Sequence, residues 1–223
     1  MSSICTLNKG GSGLIQIAGG GLTGLSCALE LINNGHEIEI FEARQEIGNP
    51  IRSPGWITID LGEKINKASS ASLTKHGWAL RREWLEKALA IEVVDKGGII
   101  HLKHNVKQPI NAIDCLGNKT KTPGWPGKAD ILQNKKELTP WVGGIVIEED
   151  LPETYTINTI EENKLCLQRG DGLIECWERN SFSTNPEKGW LELMNGDHPR
   201  DVMGLCGDHA INLGKKLALE VKV

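Results

Sequence analysis

The chain has 223 residues, 39% of them apolar, and its 25 Lys and Arg against 29 Asp and Glu give a formal charge of −4. That length suits one domain or two small ones around a sizeable core. The mixed charges form no basic block and exclude a nucleic-acid surface. No window approaches about eighteen consecutive apolar residues, so the sequence offers no membrane-spanning helix, while peripheral association with a membrane stays open.

Residues 1–13 contain Ser2, Ser3, Gly10, Gly11, Ser12 and Gly13, lack the charged start and apolar run of a signal peptide, and read as a loose leader. Leu14–Ala18 then predicts a buried parallel strand that runs into Gly19-Gly20-Gly21-Leu22-Thr23-Gly24, a GxGxxG turn. In such a turn Gly19 permits the tight exit from the strand, Gly21 lets a pyrophosphate approach the backbone, and Gly24 lets the helix pack on the strands. Free N–H groups around Thr23 at the helix start would face the phosphates. Leu25, Ala28, Leu29 and Ile32 give the helix one apolar face, and Asn34-Gly35 ends it.

Glu37–Phe41 alternates as a second strand and delivers Glu42, 23 residues after Gly19, where a ribose-binding acid belongs. A carboxylate there accepts hydrogen bonds from ribose hydroxyls and repels a 2′-phosphate, which leaves FAD or NAD rather than NADP. Ala43 to Trp56, rich in Gly and Pro, reads as the loop after this strand. Arg44 within it is either a partner for pyrophosphate or a solvated surface charge.

Residues 60–76 carry no assignable pattern. Trp78–Val94 predicts a helix with Leu80, Trp84, Leu85, Ala88 and Leu89 on one face, stopped by Gly97-Gly98. Ile99–Leu102 and Ile110–Ile113 predict strands, with Val106 between them, so strand and helix alternate as in a parallel sheet covered on both faces. Residues 118–140 read as a connection. Beyond Trp141 the pattern turns to β, with strands expected at Gly144–Ile147, Tyr155–Ile160, Leu165–Gln168 and Leu173–Trp177 and a hairpin turn at Arg169–Gly172. Asp201–Asp208 reads as an apolar strand ending in Gly-Asp, followed by a helix over His209–Val221. Read alone, Asp208 is an N-cap rather than a ligand contact.

Cys5, Cys27, Cys115, Cys166, Cys176 and Cys206 form no C-x-x-C pair and no metal-ligand spacing with the six His. A reduced, cytoplasmic protein is the expectation. Cys27, in the first helix, and Cys206, in the expected last strand, suit core packing. Cys166 and Cys176 would face each other across the hairpin, with a disulfide as the alternative. Seven Trp stand against two Phe and one Tyr, a bias that composition alone does not explain.

Several scattered pieces resemble the FAD-dependent oxidoreductases that include the aromatic hydroxylases, and among them the geranylgeranyl reductases. The glycine turn continues through Ala28 to Gly35 as in that family's extended βαβ pattern. Glu46–Ser53 is similar to its "IGxPVRC" loop, Arg82–Glu86 to its "RxxFD" helix, Asp114–Gly117 to its "DATG" and Gly207-Asp208 to its "GD". The resemblance implies FAD as cofactor, with Gly19, Gly21, Thr23, Gly24, Glu42, Arg44, Ser53, Gly55, Arg82, Val106 and Asp208 around it. Asp208 thereby becomes a ribityl ligand.

It also implies an α/β fold: a Rossmann-like FAD-binding domain with a parallel sheet over residues 1–117 and 201–223, and a small, mainly antiparallel β substrate domain over 118–200. The implied activity is reduction of double bonds in an apolar isoprenoid or lipid substrate, with NADPH or ferredoxin as electron donor. Ser53 stands where the family loop has Cys, and Asp208 runs almost directly into helix without the family's Pro and glycine-rich turn. The chain is also shorter than the pattern before Arg82, in the substrate sheet and after Val223. His209 is the one candidate proton donor beside these motifs, and a solvated histidine at a helix start is the plainer reading. Two rival readings are a relative that binds FAD or only its ADP half without turnover, and an NAD-dependent dehydrogenase or flavin monooxygenase.

Overall fold

The computed structural model describes residues 14–106, 112–116 and 138–221; the leader, most of the expected connection and Gly117 lie outside them. In chain order the elements begin β1 (Ile15–Ala18), α1 (Leu22–Asn33), β2 (Ile38–Phe41), β3 (Trp56–Ile57), α2 (Glu63–Ala68), β4 (Ser72–Thr74), β5 (Gly77–Ala79) and α3 (Arg82–Asp95). They continue with β6 (Ile99–His101), β7 (Ala112–Asp114), β8 (Leu138–Val146), β9 (Thr159–Ile160), β10 (Lys164–Gln168), β11 (Ile174–Arg179), β12 (Glu192–Pro199) and α4 (Asp208–Leu219).

Two compact units emerge, one of Met1–Asn49, Glu86–Gln133 and His209–Val223, the other of Pro50–Leu85 and Asn134–Asp208. The first holds a parallel sheet in the order β6-β2-β1-β7. Ile15, Ile17, Ala18, Ile38 and Ile40 are at most 3% exposed, as strands covered on both faces require. α1 is buried more widely than one stripe: Leu22, Leu25, Cys27, Ala28 and Leu31 are all covered, whereas the expected Leu29 and Ile32 are half-exposed. The extra burial comes from α4, whose Gly214 lies so close to the Thr23 carbonyl that a Cβ there would collide with it.

The second unit carries a five-stranded antiparallel sheet, β12-β8-β11-β10-β9, and a three-stranded sheet, β3-β5-β4. Its core contains Trp56, Trp141 and Trp177, each no more than 1% exposed, with Ile145, Leu165, Leu167 and Met194. The tryptophan bias has its explanation here. A Cβ on Gly143 would sit 2.5 Å from the Trp177 ring, and one on Gly144 would collide with the Trp190 ring on the opposite face. Adjacent glycines thus let an indole lie flat on each side of β8. The indole N–H groups are satisfied, by His76 O for Trp56, Pro199 O for Trp141, Glu175 for Trp177 and Asn185 for Trp190.

Three local expectations are corrected and one unassigned stretch is filled. The helix expected from Trp78 starts at Arg82, because Gly77–Ala79 pairs with β3 and β4 through Trp78 opposite Ile57 and Leu73. Within 60–76 lie α2 and β4. Tyr155–Ile160 is mostly turn, with Asn158 at φ 57° and only Thr159–Ile160 paired. The strand expected over Asp201–Asp208 is replaced by a 3-10 helix over Val202–Leu205, capped by Asp201, whose side chain accepts from Met203 N; Val202 and Leu205, three apart, are its buried residues, and Cys206 follows it outside any strand.

Candidate functional site

In the first unit, β1 ends at Gly19, whose φ of 107° and 2.5 Å clearance from the Cys115 carbonyl exclude any side chain. Gly24 lies against the Gly19 carbonyl, where a Cβ would collide, so its role is to close the turn. Gly21 is different: among the described residues a Cβ there would meet nothing within 4 Å. It is also the N-cap of α1, makes no side-chain cap, and no acid occupies the first turn, where Thr23 is half-buried. The first turn of α1 thus carries no acid of its own at the positive end of the dipole, and Glu42, which accepts from Gly20 N–H just before the N-cap, is the carboxylate beside it.

Glu42 follows β2 and is 5% exposed. Its Oε2 accepts from Gly20 N–H at 2.8 Å and from Arg44 Nη2 at 3.2 Å, and its Oε1 accepts from Arg44 N–H at 2.8 Å and Nε at 3.0 Å. Burial pushes the carboxyl up, but the Arg44 hydrogen bonds and charge, with Gly20 N–H, outweigh it and hold Glu42 below the usual carboxylate range. Burial likewise opposes the Arg44 charge, which Glu42 and then Glu86, 3.9 Å away, stabilise. Arg44 is thus an ion-pair partner rather than a solvated surface charge. These donors occupy roughly the four acceptor positions of a carboxylate, so a ribose diol would bind Glu42 by displacing part of the Arg44 contact.

The chain after β6 runs beside this acid. His104 N–H donates to the Glu42 carbonyl at 2.8 Å, Lys103 N–H to that of Arg44 at 3.0 Å, and Val106 follows half-buried. Phe41 stacks on His101 with ring centroids 4.8 Å apart, and His104 lies edge-on to His101 at 5.7 Å. No sequence motif pointed to these histidines. Cys115 N–H donates to the Ala18 carbonyl at 2.8 Å, which fixes the segment under Gly19.

The other expected residues fall in the second unit. Gly55 is buried; its carbonyl accepts from Leu80 N–H, its N–H donates to Glu175 Oε1 at 3.0 Å, and a Cβ would collide with the Leu80 carbonyl. Ser53 is half-buried in the same loop, and His198 Nε2 lies 2.6 Å from the Arg52 carbonyl. Arg82, half-buried, opens α3. Asp208 does not act as a plain helix cap: it accepts from Thr58 N–H at 2.8 Å, from the Thr58 hydroxyl and from Ile59 N–H at 3.4 Å. His209 is exposed to solvent.

Sequence reasoning missed Glu175 and His198. Glu175 accepts from Trp177 Nε1 at 2.7 Å and pairs with Arg169 at 3.4 Å. Burial raises its carboxyl above the usual range against the Arg169 charge. Its signal was available: an acid two residues from a strand tryptophan shares that indole's face and offers its N–H an acceptor.

The first-unit residues fit the adenosine diphosphate part of FAD: open space at Gly21, a helix whose own first turn carries no acid and an ionised acid at the end of the second strand. The second unit contributes no observation of that kind. Among the described residues no helix is long and apolar enough to cross a membrane, and no cluster of His, Cys, Asp and Glu could hold a metal.

Residues 15–151, more than half the chain, match the family model for FAD-dependent oxidoreductases (DAO). A 46-residue stretch is 44% identical to a zeta-carotene desaturase of a Synechocystis strain and spans 21% of this chain but only 9% of that protein. In structure the chain is similar to a geranylgeranyl bacteriochlorophyll reductase-like protein from Thermoplasma acidophilum, with a TM-score of 0.62 at 13% identity over 92% of this chain and 77% of that one. A flavoprotein/dehydrogenase from Cytophaga hutchinsonii gives a TM-score of 0.57 at 11% identity over 92% and 76%. The p-nitrophenol 4-monooxygenase of Pseudomonas putida gives 0.53 at 10% identity over 83% and 67%. At these identities the likenesses concern the fold, a parallel sheet with separate antiparallel sheets. The matched family model, which opens on β1 and spans the glycine turn and Glu42, supplies the rest: this chain belongs to the FAD-dependent oxidoreductases, enzymes whose cofactor is FAD.

Proposed function

We propose that the chain binds the ADP end of FAD through Gly21, Thr23, Glu42, Arg44 and Val106, at a turn that Gly19 and Gly24 close, and reduces double bonds of an apolar isoprenoid substrate. The observation that carries the binding reading is the open space at Gly21, at a helix start that has no acid of its own. When bound, FAD supplies two-electron hydride chemistry. The chain's part is to bind and orient. The α1 N-terminus offers N–H groups to the pyrophosphate, and Glu42 exchanges Arg44 donors for ribose hydroxyls while Gly20 N–H keeps one oxygen in place. With His209 in solvent, water is the proton source.

The substrate class is supported by the likeness of Glu46–Ser53 to the reductase loop and by two relatives whose names, geranylgeranyl bacteriochlorophyll reductase-like and zeta-carotene desaturase, concern long isoprenoid molecules. NADPH or ferredoxin would be the reductant. The test is anaerobic incubation of dithionite-reduced protein with a geranylgeranyl lipid, followed by mass spectrometry. A gain of two hydrogens per double bond supports the reading, and an unchanged lipid overturns it.

A second reading, an FAD- or ADP-binding protein without turnover, is favoured by the packing of Trp56, Trp141 and Trp177 against one face of the antiparallel sheet. Under that reading FAD binds, and reduced protein reoxidises in air without altering the lipid.

A further inference from the structure

Cys166 and Cys176 stand directly opposite in the β10–β11 hairpin, 2% and 0% exposed, with their sulfurs 2.8 Å apart. In this ladder the hydrogen-bonded pairs are the odd-numbered ones: Arg169 N–H donates to the Leu173 carbonyl and Arg179 N–H to the Asn163 carbonyl. Alternation makes Cys166 and Cys176 a non-hydrogen-bonded pair, in which the Cα atoms lie about 4.5 Å apart and the side chains are closest. That separation falls within the range a disulfide spans, about 4.4–6.8 Å. Both thiols point into one apolar cluster with Val146, Tyr155 and Ile174, closed over by Leu151, Ile157, Phe182 and Trp190.

We propose that Cys166 and Cys176 are a dithiol–disulfide site, oxidised by a peroxide to a bond that staples the hairpin. One thiolate takes an oxygen from hydrogen peroxide and releases water, giving a sulfenic acid; the facing thiol then displaces that oxygen as a second water. One S–S bond forms, two S–H bonds and one O–O bond break, the sulfurs lose two electrons and the peroxide gains them.

The contact with Cys166 and burial raise the Cys176 thiol above its usual range, so the packed hairpin is the slow form and oxidation passes through local opening. The topology makes that opening accessible. Among the described residues the sheet has only the two-residue β9 beyond β10, and β10 meets β11 at a tight turn with Gly172 at φ 81°. The bond would close a short loop at the centre of the cluster. None of this depends on the flavin or the substrate.

The test uses the full chain, reduced and then treated under native conditions with hydrogen peroxide and, separately, with diamide. Remaining thiols are alkylated after denaturation, and the digest is read by mass spectrometry. The expected product is a Cys166–Cys176 bond two hydrogens lighter than the dithiol, with an unfolding midpoint raised by roughly 5–10 °C and restored by dithiothreitol. Cys166→Ser and Cys176→Ser should each abolish the shift. Recovery of both cysteines fully alkylated after both oxidants, or either one joined instead to Cys27, Cys115 or Cys206, overturns the proposal.

Discussion

The glycine turn of the first unit and the glycine pair of the second omit the same atom for opposite ends. At Gly21 the missing Cβ leaves space that none of the described residues fills. At Gly143 and Gly144 it leaves space that Trp177 and Trp190 fill completely. Both patterns read simply as glycines in a sequence, yet one is unfilled space, which we propose a ligand takes, and the other is core. A cofactor can therefore be argued from the first unit by geometry, while the second argues mainly its own stability.

The sharpest break of this contrast is at Gly24, which looks like a ligand glycine in the motif but closes the turn in the structure. Gly24→Val should abolish FAD binding by driving α1 off the Gly19 carbonyl, with a fall in stability exceeding about 3 kcal/mol, since overpacking against backbone leaves nothing to yield. Chemical denaturation beside FAD titration checks both, and an undiminished stability would return Gly24 to the ligand side.

Next is Gly143→Ala, expected to cost about 2–3 kcal/mol by the same overpacking, now against an indole. FAD affinity measured well below the melting range should be unchanged, because the loss is confined to the second unit's core.

Glu42→Ala should weaken FAD and ADP alike by about 1.5–3 kcal/mol, the range for a hydrogen bond to a charged group. The same carboxyl sets an acid limb. Because its folded-state value lies below its unfolded one, the stability it gives is full above the unfolded value and is lost as pH falls through the folded one. Glu42→Gln should therefore flatten the stability profile below about pH 4.5; an unchanged acid limb by urea unfolding would discard the Arg44 pairing as a source of stability.

The smallest effect is expected at Asp208. Loss of its bonds to Thr58 and Ile59 in Asp208→Asn should lower stability by about 1 kcal/mol. If it also meets the ribityl chain, FAD should loosen more than ADP. Equal loosening of the two ligands removes Asp208 from the flavin.

Much of the first unit was legible because its signals are local. The run Leu14–Ala18, the glycine turn and Glu42 lie within one βαβ stretch, and burial on both sheet faces leaves continuous apolar strands. The Arg169–Gly172 hairpin and its facing cysteines were legible for the same reason. What escaped depends on distant partners. Trp78 has the composition of the helix that follows it, but its place opposite Ile57 is set by a strand some twenty residues earlier. β12 carries Gly196, Asp197 and Pro199, poor strand formers, and is held as an edge by β8. Glu42 was legible as an acid at the end of the second strand, but its capture by Arg44 was not, since two residues of spacing gave equal reason for a surface charge.

The central claim is that Gly21 is ligand space. It is tested most directly by Gly21→Ala, with FAD affinity from fluorescence titration and thermal unfolding measured on the same preparations. A methyl that meets none of the described residues should leave the melting temperature where it was while FAD affinity falls at least about tenfold, or 1.4 kcal/mol. An unchanged FAD affinity in the folded variant would contradict the account.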